Sequence, residues 1–149
     1  MIRAVIFDID NTMYDFDGTH KTAMAALGAY AKENFGMEPE KTAELVKKCM
    51  DIVTERTGEN CAALHNRLLR FQCFLEQIGN TDYQKAMEMY HVYWDTLLEH
   101  MKPESGLLSL LESLRERAIK IGIGSDMTAF IKYKKLAKLG VMRYLDFIV

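Results

Sequence analysis

Two carboxylates, Asp8 and Asp10, close an apolar run, Ala4-Val5-Ile6-Phe7, with Ile9 between them and Asn11 and Thr12 directly behind. Four apolar, partly β-branched residues ending in turn formers predict a short buried strand. Side chains two apart on an extended segment share a face, so both acids stand together at the strand's carboxyl end, where open parallel sheets bind ligands. A pair of this kind costs free energy unless a cation or hydrogen-bond donors offset it. The chemistry it suits is a division of labour, in which one carboxylate attacks an electrophile and the other shuttles a proton. Magnesium would offset the charge, since it favours oxygen ligands and substrate phosphates. The backbone amides behind the strand can cradle a phosphate.

The rest of the chain must position that pair. A length of 149 residues fits about one domain of ordinary size, and 49% hydrophobic content is enough to build a core. A net charge of −2, with no block of Lys and Arg, gives no footprint for nucleic acid. No apolar run approaches a membrane span, and the N-terminus lacks the secretory pattern. The expectation is therefore a cytoplasmic protein with neither nucleic acid nor membrane as partner. Cys49, Cys61 and Cys73, an odd count at wide spacing, read as reduced, buried thiols.

After a turn-rich link, Met13 to Gly18, the apolar period becomes helical. A first helix is predicted over about 19–35, with Ala23, Ala26, Leu27, Tyr30 and Ala31 inward and Gly36 as its stop. A second starts at Pro39 and runs to about Glu55, with Ala43, Val46, Met50 and Val53 inward, and Gly58-Glu59-Asn60 breaks it. A third covers about 62–77 through Leu64, Leu68, Phe71, Phe74 and Leu75. A fourth, capped by Thr81 or Asp82, runs to about His100, with Ala86, Met89, Tyr90, Tyr93, Trp94 and Leu97 inward. Four amphipathic helices in a row predict a bundle. A second link, Lys102 to Gly106, leads to a helix over 107–116, a strand over 119–124 that meets Ser125 and Asp126, and a helix over about 129–139. A third strand begins at Phe147. Outside the bundle, this alternation is that of a parallel sheet with crossover helices. The domains expected are a discontinuous α/β core, 1–16 plus 102–149, and a helical insert, 17–101. His20, near the junction, could face a substrate. Lys132, Lys134, Lys135 and Lys138 read as a solvated basic face.

The segment Asp8-Ile9-Asp10-Asn11-Thr12 resembles motif I of the haloacid dehalogenase-like superfamily, D-x-D-x-T after a hydrophobic strand. The resemblance implies that Asp8 is a nucleophile and Asp10 a general acid/base whose main-chain carbonyl also ligates the metal. A dehalogenase normally lacks the second acid, so Asp10 favours phosphoryl transfer. The strand I-G-I-G-S-D-M is similar to motif II, which implies that the Ser125 hydroxyl binds the phosphoryl group. Amides near Ile9 to Thr12 would help it, with Asn11 and Thr12 as phosphate-binding positions. A helical insert directly behind motif I looks like the C1 cap of the family, which closes over the site and selects small soluble substrates. The fold implied is a Rossmann-like parallel-sheet core with an inserted helical-bundle cap. The function implied is a Mg2+-dependent phosphatase of a small phosphorylated metabolite, with Asp8 and Asp10 as metal ligands. A phosphomutase and a 2-haloacid dehalogenase are sister readings.

The family's motif III Lys and motif IV acids cannot be placed in this sequence, and the α/β core reads as incomplete at its C-terminal side. In the family the motif I strand lies in the centre of the sheet; here it would be an apolar edge, prone to pair with another chain. Weak activity and self-association are therefore expected unless a partner completes the sheet. A shortened, non-catalytic interaction protein is the alternative.

Overall fold

The computed structural model describes residues 2–59 and 61–149. Met1, and Asn60 in the expected break after the second helix, lie outside them. In chain order the elements are strand β1 (Ala4–Phe7), helices α1 (Phe16–Phe35), α2 (Pro39–Thr57), α3 (Arg67–Gln77), α4 (Gln84–His100) and α5 (Leu107–Glu116), strand β2 (Lys120–Ile123), helix α6 (Ala129–Lys138) and strand β3 (Phe147–Ile148). Short 3-10 turns lie at Ala62–His65 and Met142–Tyr144. The chain divides into two compact units, Met1–Thr19 with His100–Val149, and His20–Glu99. Among the described residues no helix is long and apolar enough to cross a membrane.

The first unit is α/β. Its sheet is parallel in the order β1-β2-β3. Phe7 pairs with Ile123, and Ile123 with Ile148, so the three strands run out at one end. Ile121 and Ile123 are fully buried in the middle strand. Gly122 lies between them because the Phe147 ring covers it: a Cβ there would come within 2.2 Å of a ring atom. Asp146 clamps the other end of the same strands. It accepts from Lys120 Nζ at 2.8 Å, Arg115 Nη1 at 3.2 Å and the Ile121 amide at 2.9 Å. The Lys120 hydrogen bond, then the amide, hold its carboxyl down to about 2. The strand is not buried as its apolar run alone suggests; it is the apolar edge that the family resemblance leads one to expect, since β1 lies at an edge of the described sheet and Ile6 is 57% exposed.

Helix α6 corrects a second expectation. Lys134 is half-buried and Lys138 exposed, but Lys132 and Lys135 are buried beside Ile131, Leu136 and Leu139. The basic residues therefore divide between two faces.

The second unit is all helical. Ala23, Leu27 and Ala31 of α1 are buried, as are Ala86, Met89, Tyr93, Trp94 and Leu97 of α4. Each large apolar side chain so placed contributes about 1.5–3 kcal/mol. In α2 the buried stripe is Thr42, Val46, Cys49 and Val53, while Ala43 and Met50 are exposed. A polar residue takes the inner position because its hydroxyl is satisfied within the helix, Thr42 Oγ1 donating to the Glu38 carbonyl at 3.1 Å. The third predicted helix is split: Asn66, whose side chain accepts from the Leu68 amide at 3.0 Å, ends the 3-10 turn and caps α3. Leu68 is consequently exposed, while Phe71, Phe74 and Leu75 are buried. Cys49 and Cys73 are buried and Cys61 is half-buried. Burial, with a hydrogen bond to Cys73, pushes the Cys49 thiol up to about 12.

Candidate active site

At the end of β1 the chain keeps its alternation for three more residues. Ile9 is fully buried, Asp8 is exposed, and the Asp10 side chain is 29% exposed. A tight loop follows, in which the Ile9 carbonyl accepts from the amides of Thr12 at 3.3 Å and Met13 at 2.9 Å. The turn puts Asn11 at φ 54, a left-handed conformation that Asn tolerates better than most residues. Asn11 Oδ1 accepts from the amides of Phe16 at 3.0 Å and Asp17 at 3.2 Å, and Asp15 Oδ1 from that of Gly18 at 2.9 Å. The first orphan amides of α1 are thereby satisfied by side chains of the loop itself. Gly18 lets the Asp15 carboxylate close over the amide, since a Cβ would fall 2.2 Å from Asp15 Oδ2 and push that side chain aside. The Asn11 side-chain oxygen thus caps a helix, and the Thr12 amide closes a turn. The Thr12 side chain is exposed.

The two acids differ sharply in their surroundings. Asp8 makes no hydrogen bond or ion pair with any described residue. Asp10 Oδ1 receives two donors: Lys135 Nζ at 2.5 Å and Tyr14 Oη at 2.6 Å. The Lys135 side chain is 0% exposed. Its ammonium lies 5.2 Å from the ring centroids of both Tyr14 and Phe16, which are themselves 6.4 Å apart and edge-to-face. An ammonium so buried needs a carboxylate and an aromatic lining to offset lost hydration. The turn-rich link behind the motif thus contains two fully buried residues, Met13 and Tyr14.

Ser125 leaves β2 beside this loop, because the Gly124 amide donates to the Phe7 carbonyl at 2.9 Å. Its hydroxyl accepts from the Met127 amide at a long 3.4 Å, and the position before α6 falls to Thr128. Ser125 is half-buried and is not the helix cap; Asp126 is exposed. In the helical unit, His20 Nδ1 lies 2.7 Å from the Tyr93 hydroxyl, with Arg67 stacked 4.1 Å over the Tyr93 ring.

Lys135 and Tyr14 escaped the sequence reading, although a signal for Lys135 existed. It falls four residues after Ile131 and four before Leu139, on the apolar stripe of α6. The donor set at the end of β1 suits magnesium, which needs only one or two carboxylates because substrate phosphates and water complete its shell. Among the described residues no group of three His, Cys, Asp or Glu gathers as an all-protein cage.

A family profile described as "Haloacid dehalogenase-like hydrolase" matches residues 5–149. The chain is 32% identical, over its whole length, to a ribulose-1,5-bisphosphate 5-phosphatase of Halopiger xanaduensis, covering 63% of that protein. It is 28% identical to a glyceraldehyde 3-phosphate phosphatase of Methanopyrus kandleri, covering 61% of it. The chain thus spans less than two thirds of the relatives it matches. Among solved structures, a HAD phosphatase from Thermococcus onnurineus superposes with a TM-score of 0.62 at 18% identity, over 99% of this chain and 61% of that one.

Proposed function

The chain belongs to the haloacid dehalogenase-like hydrolases, and on that premise we propose that it is a magnesium-dependent phosphatase of a small phosphorylated metabolite. An Asp8 carboxylate oxygen bonds to phosphorus as the bond from phosphorus to the ester oxygen breaks. Asp10, protonated at that point, passes its proton to the departing oxygen. Asp10 then takes a proton from water as the water oxygen attacks phosphorus, and inorganic phosphate leaves with Asp8 restored. The Ser125 hydroxyl and the Thr12 side chain donate to phosphoryl oxygens, while Asn11 holds the loop in shape. Magnesium would be held by the Asp8 carboxylate and the Asp10 main-chain oxygen, and when bound it offsets the charge on the phosphate.

The observation that carries this reading is the contrast at the end of β1, an open Asp8 beside an anchored Asp10. The relatives named as phosphatases of ribulose-1,5-bisphosphate and glyceraldehyde 3-phosphate support a sugar-phosphate-sized substrate. The test is a panel of phosphate monoesters with magnesium, run on the chain and on Asp8→Asn. Turnover lost in the variant supports the proposal. Equal turnover in both, or none in either together with no uptake of beryllofluoride at Asp8, overturns it.

A second reading concerns assembly. The 57% exposure of Ile6 on the outer strand favours self-association through that edge. Sedimentation of the chain against Ile6→Lys tests it: association lost in the variant supports the edge contact, and a monomer in both overturns it.

A further inference from the structure

Resting on the phosphatase reading, we propose that Lys135 and Tyr14 are positioning residues that lock the Asp10 carboxylate and leave Oδ2 as the atom that exchanges the proton. Both donors converge on Oδ1, at 2.5 and 2.6 Å. No described residue donates to Oδ2. A carboxylate held on one oxygen by two donors from different elements has neither χ rotation free. Tyr14 comes from the loop itself, four residues on, and Lys135 from α6, so the lock joins the loop to the helix behind it.

The lysine is well placed for this. Its side chain is fully buried, and the rings of Tyr14 and Phe16 face its ammonium at 5.2 Å. Lys132, three residues earlier, turns instead to the main-chain oxygen of Val149 at 3.2 Å. Neighbouring buried lysines on one helix thus have different partners, and only Lys135 bonds a site carboxylate. Its charge lies beside Asp10, the proton carrier, and no bond joins it to Asp8. It therefore acts through Asp10 and has no direct part in the attack on phosphorus. Proton transfer requires a heavy-atom approach of roughly 2.6–3.2 Å in a defined direction. A carboxylate free to rotate would spend much of its time misaligned, and a positioned one is worth about 10²–10⁴ in rate where the leaving oxygen needs a proton.

The experiment uses the full chain and the variants Lys135→Met, Lys135→Arg and Tyr14→Phe. The first measurement is independent of turnover: a double-mutant cycle of Lys135→Met with Asp10→Asn in urea. A coupling between the two supports the contact, and additive losses overturn it. The second compares an alkyl phosphate, whose leaving alkoxide must be protonated, with an aryl phosphate, whose phenolate leaves without help. For Lys135→Met, kcat on the alkyl ester should fall about 100-fold with little change in KM. Formation of the phospho-aspartyl enzyme from the aryl ester should fall far less. Lys135→Arg should recover part of the alkyl activity, and Tyr14→Phe should show a milder form of the same pattern. Equal losses on both esters, or a rise in KM alone, would assign Lys135 a purely structural role. Absence of turnover in every form, with the coupling present, would sink the phosphatase reading and the proton assignment while leaving the lock in place.

Discussion

The loops that follow β1 and β2 leave the same end of one sheet, and they are built in opposite ways. The loop over 8–18 is closed by its own side chains and by one lysine of α6: Asn11 and Asp15 cap α1, Tyr14 and Lys135 hold Asp10, and Ile9, Met13 and Tyr14 are buried beneath it. Among the described residues, the loop over 124–128 has a single side-chain hydrogen bond, at 3.4 Å, and α6 starts without a side-chain cap. A preorganised loop can aim charges at a reacting atom with no reorganisation at the moment of reaction. A loosely held hydroxyl can follow a group that moves during transfer. Of the two acids at the end of β1, Asp10 is held by two donors and Asp8 is exposed without a side-chain partner among the described residues, which sets the proposed nucleophile apart from the groups that brace the loop.

The largest expected effect separates chemistry from structure inside that loop. Asp8→Asn should reduce turnover by about a thousandfold or more, because the amide cannot form the phospho-enzyme. Its urea midpoint should match that of the parent chain, since the Asp8 carboxylate has no partner among the described residues to lose. Steady-state kinetics and equilibrium unfolding on the same preparation check both halves. A clear drop in stability would mean that Asp8 belongs to the framework and that the contrast with Asp10 is false.

Asp10→Ala tests the other acid. It strands a fully buried ammonium, and breaking a buried pair in this way costs about 3–5 kcal/mol. Urea denaturation should show that loss, with Lys135→Met added to Asp10→Ala recovering part of it. A cost near zero would mean that the lysine side chain swings out to water on its own.

Asn11→Ala comes next in size. It removes the acceptor for two amides at the start of α1 and places Ala at a positive φ. A loss of about 1–2 kcal/mol is expected in equilibrium unfolding. Asn11→Gly should cost less, because Gly accepts that backbone conformation.

How far the sequence revealed these features depended on how local each one was. β1, α5 and the start of α2 at Pro39 follow from runs of neighbouring residues. The acids at the end of β1 were legible for the same reason, the i, i+2 spacing of Asp8 and Asp10 around an apolar Ile9. The stripe of α2 was misjudged because Thr42 hides its hydroxyl in the helix backbone and then behaves as a core residue. The break at Asn66 was missed because an apolar period continues across it, while the Asn66 cap works through a single amide. Lys135 was the hardest. A charge on a helix is ordinarily read as solvent-facing, and its partner lies 125 residues away in sequence. Its place on the α6 stripe is visible only when position is weighed ahead of residue type. The exposure of β1 follows from sheet order, which periodicity within one strand does not encode and which only the family resemblance supplied.

The smallest expected effect falls on the second loop and sharpens the contrast from its other side. Ser125→Ala removes one long hydrogen bond to the Met127 amide, so stability should change by less than about 0.5 kcal/mol. Turnover should still fall, because a hydroxyl that donates to a charged phosphoryl oxygen contributes about 1.5 kcal/mol, close to tenfold in kcat/KM. Ser125→Thr keeps the hydroxyl and should retain most of the activity. If Ser125→Ala instead unfolds the chain as readily as Asn11→Ala does, the two loops are braced alike. The mobility ascribed to the phosphoryl-binding side would then have no basis.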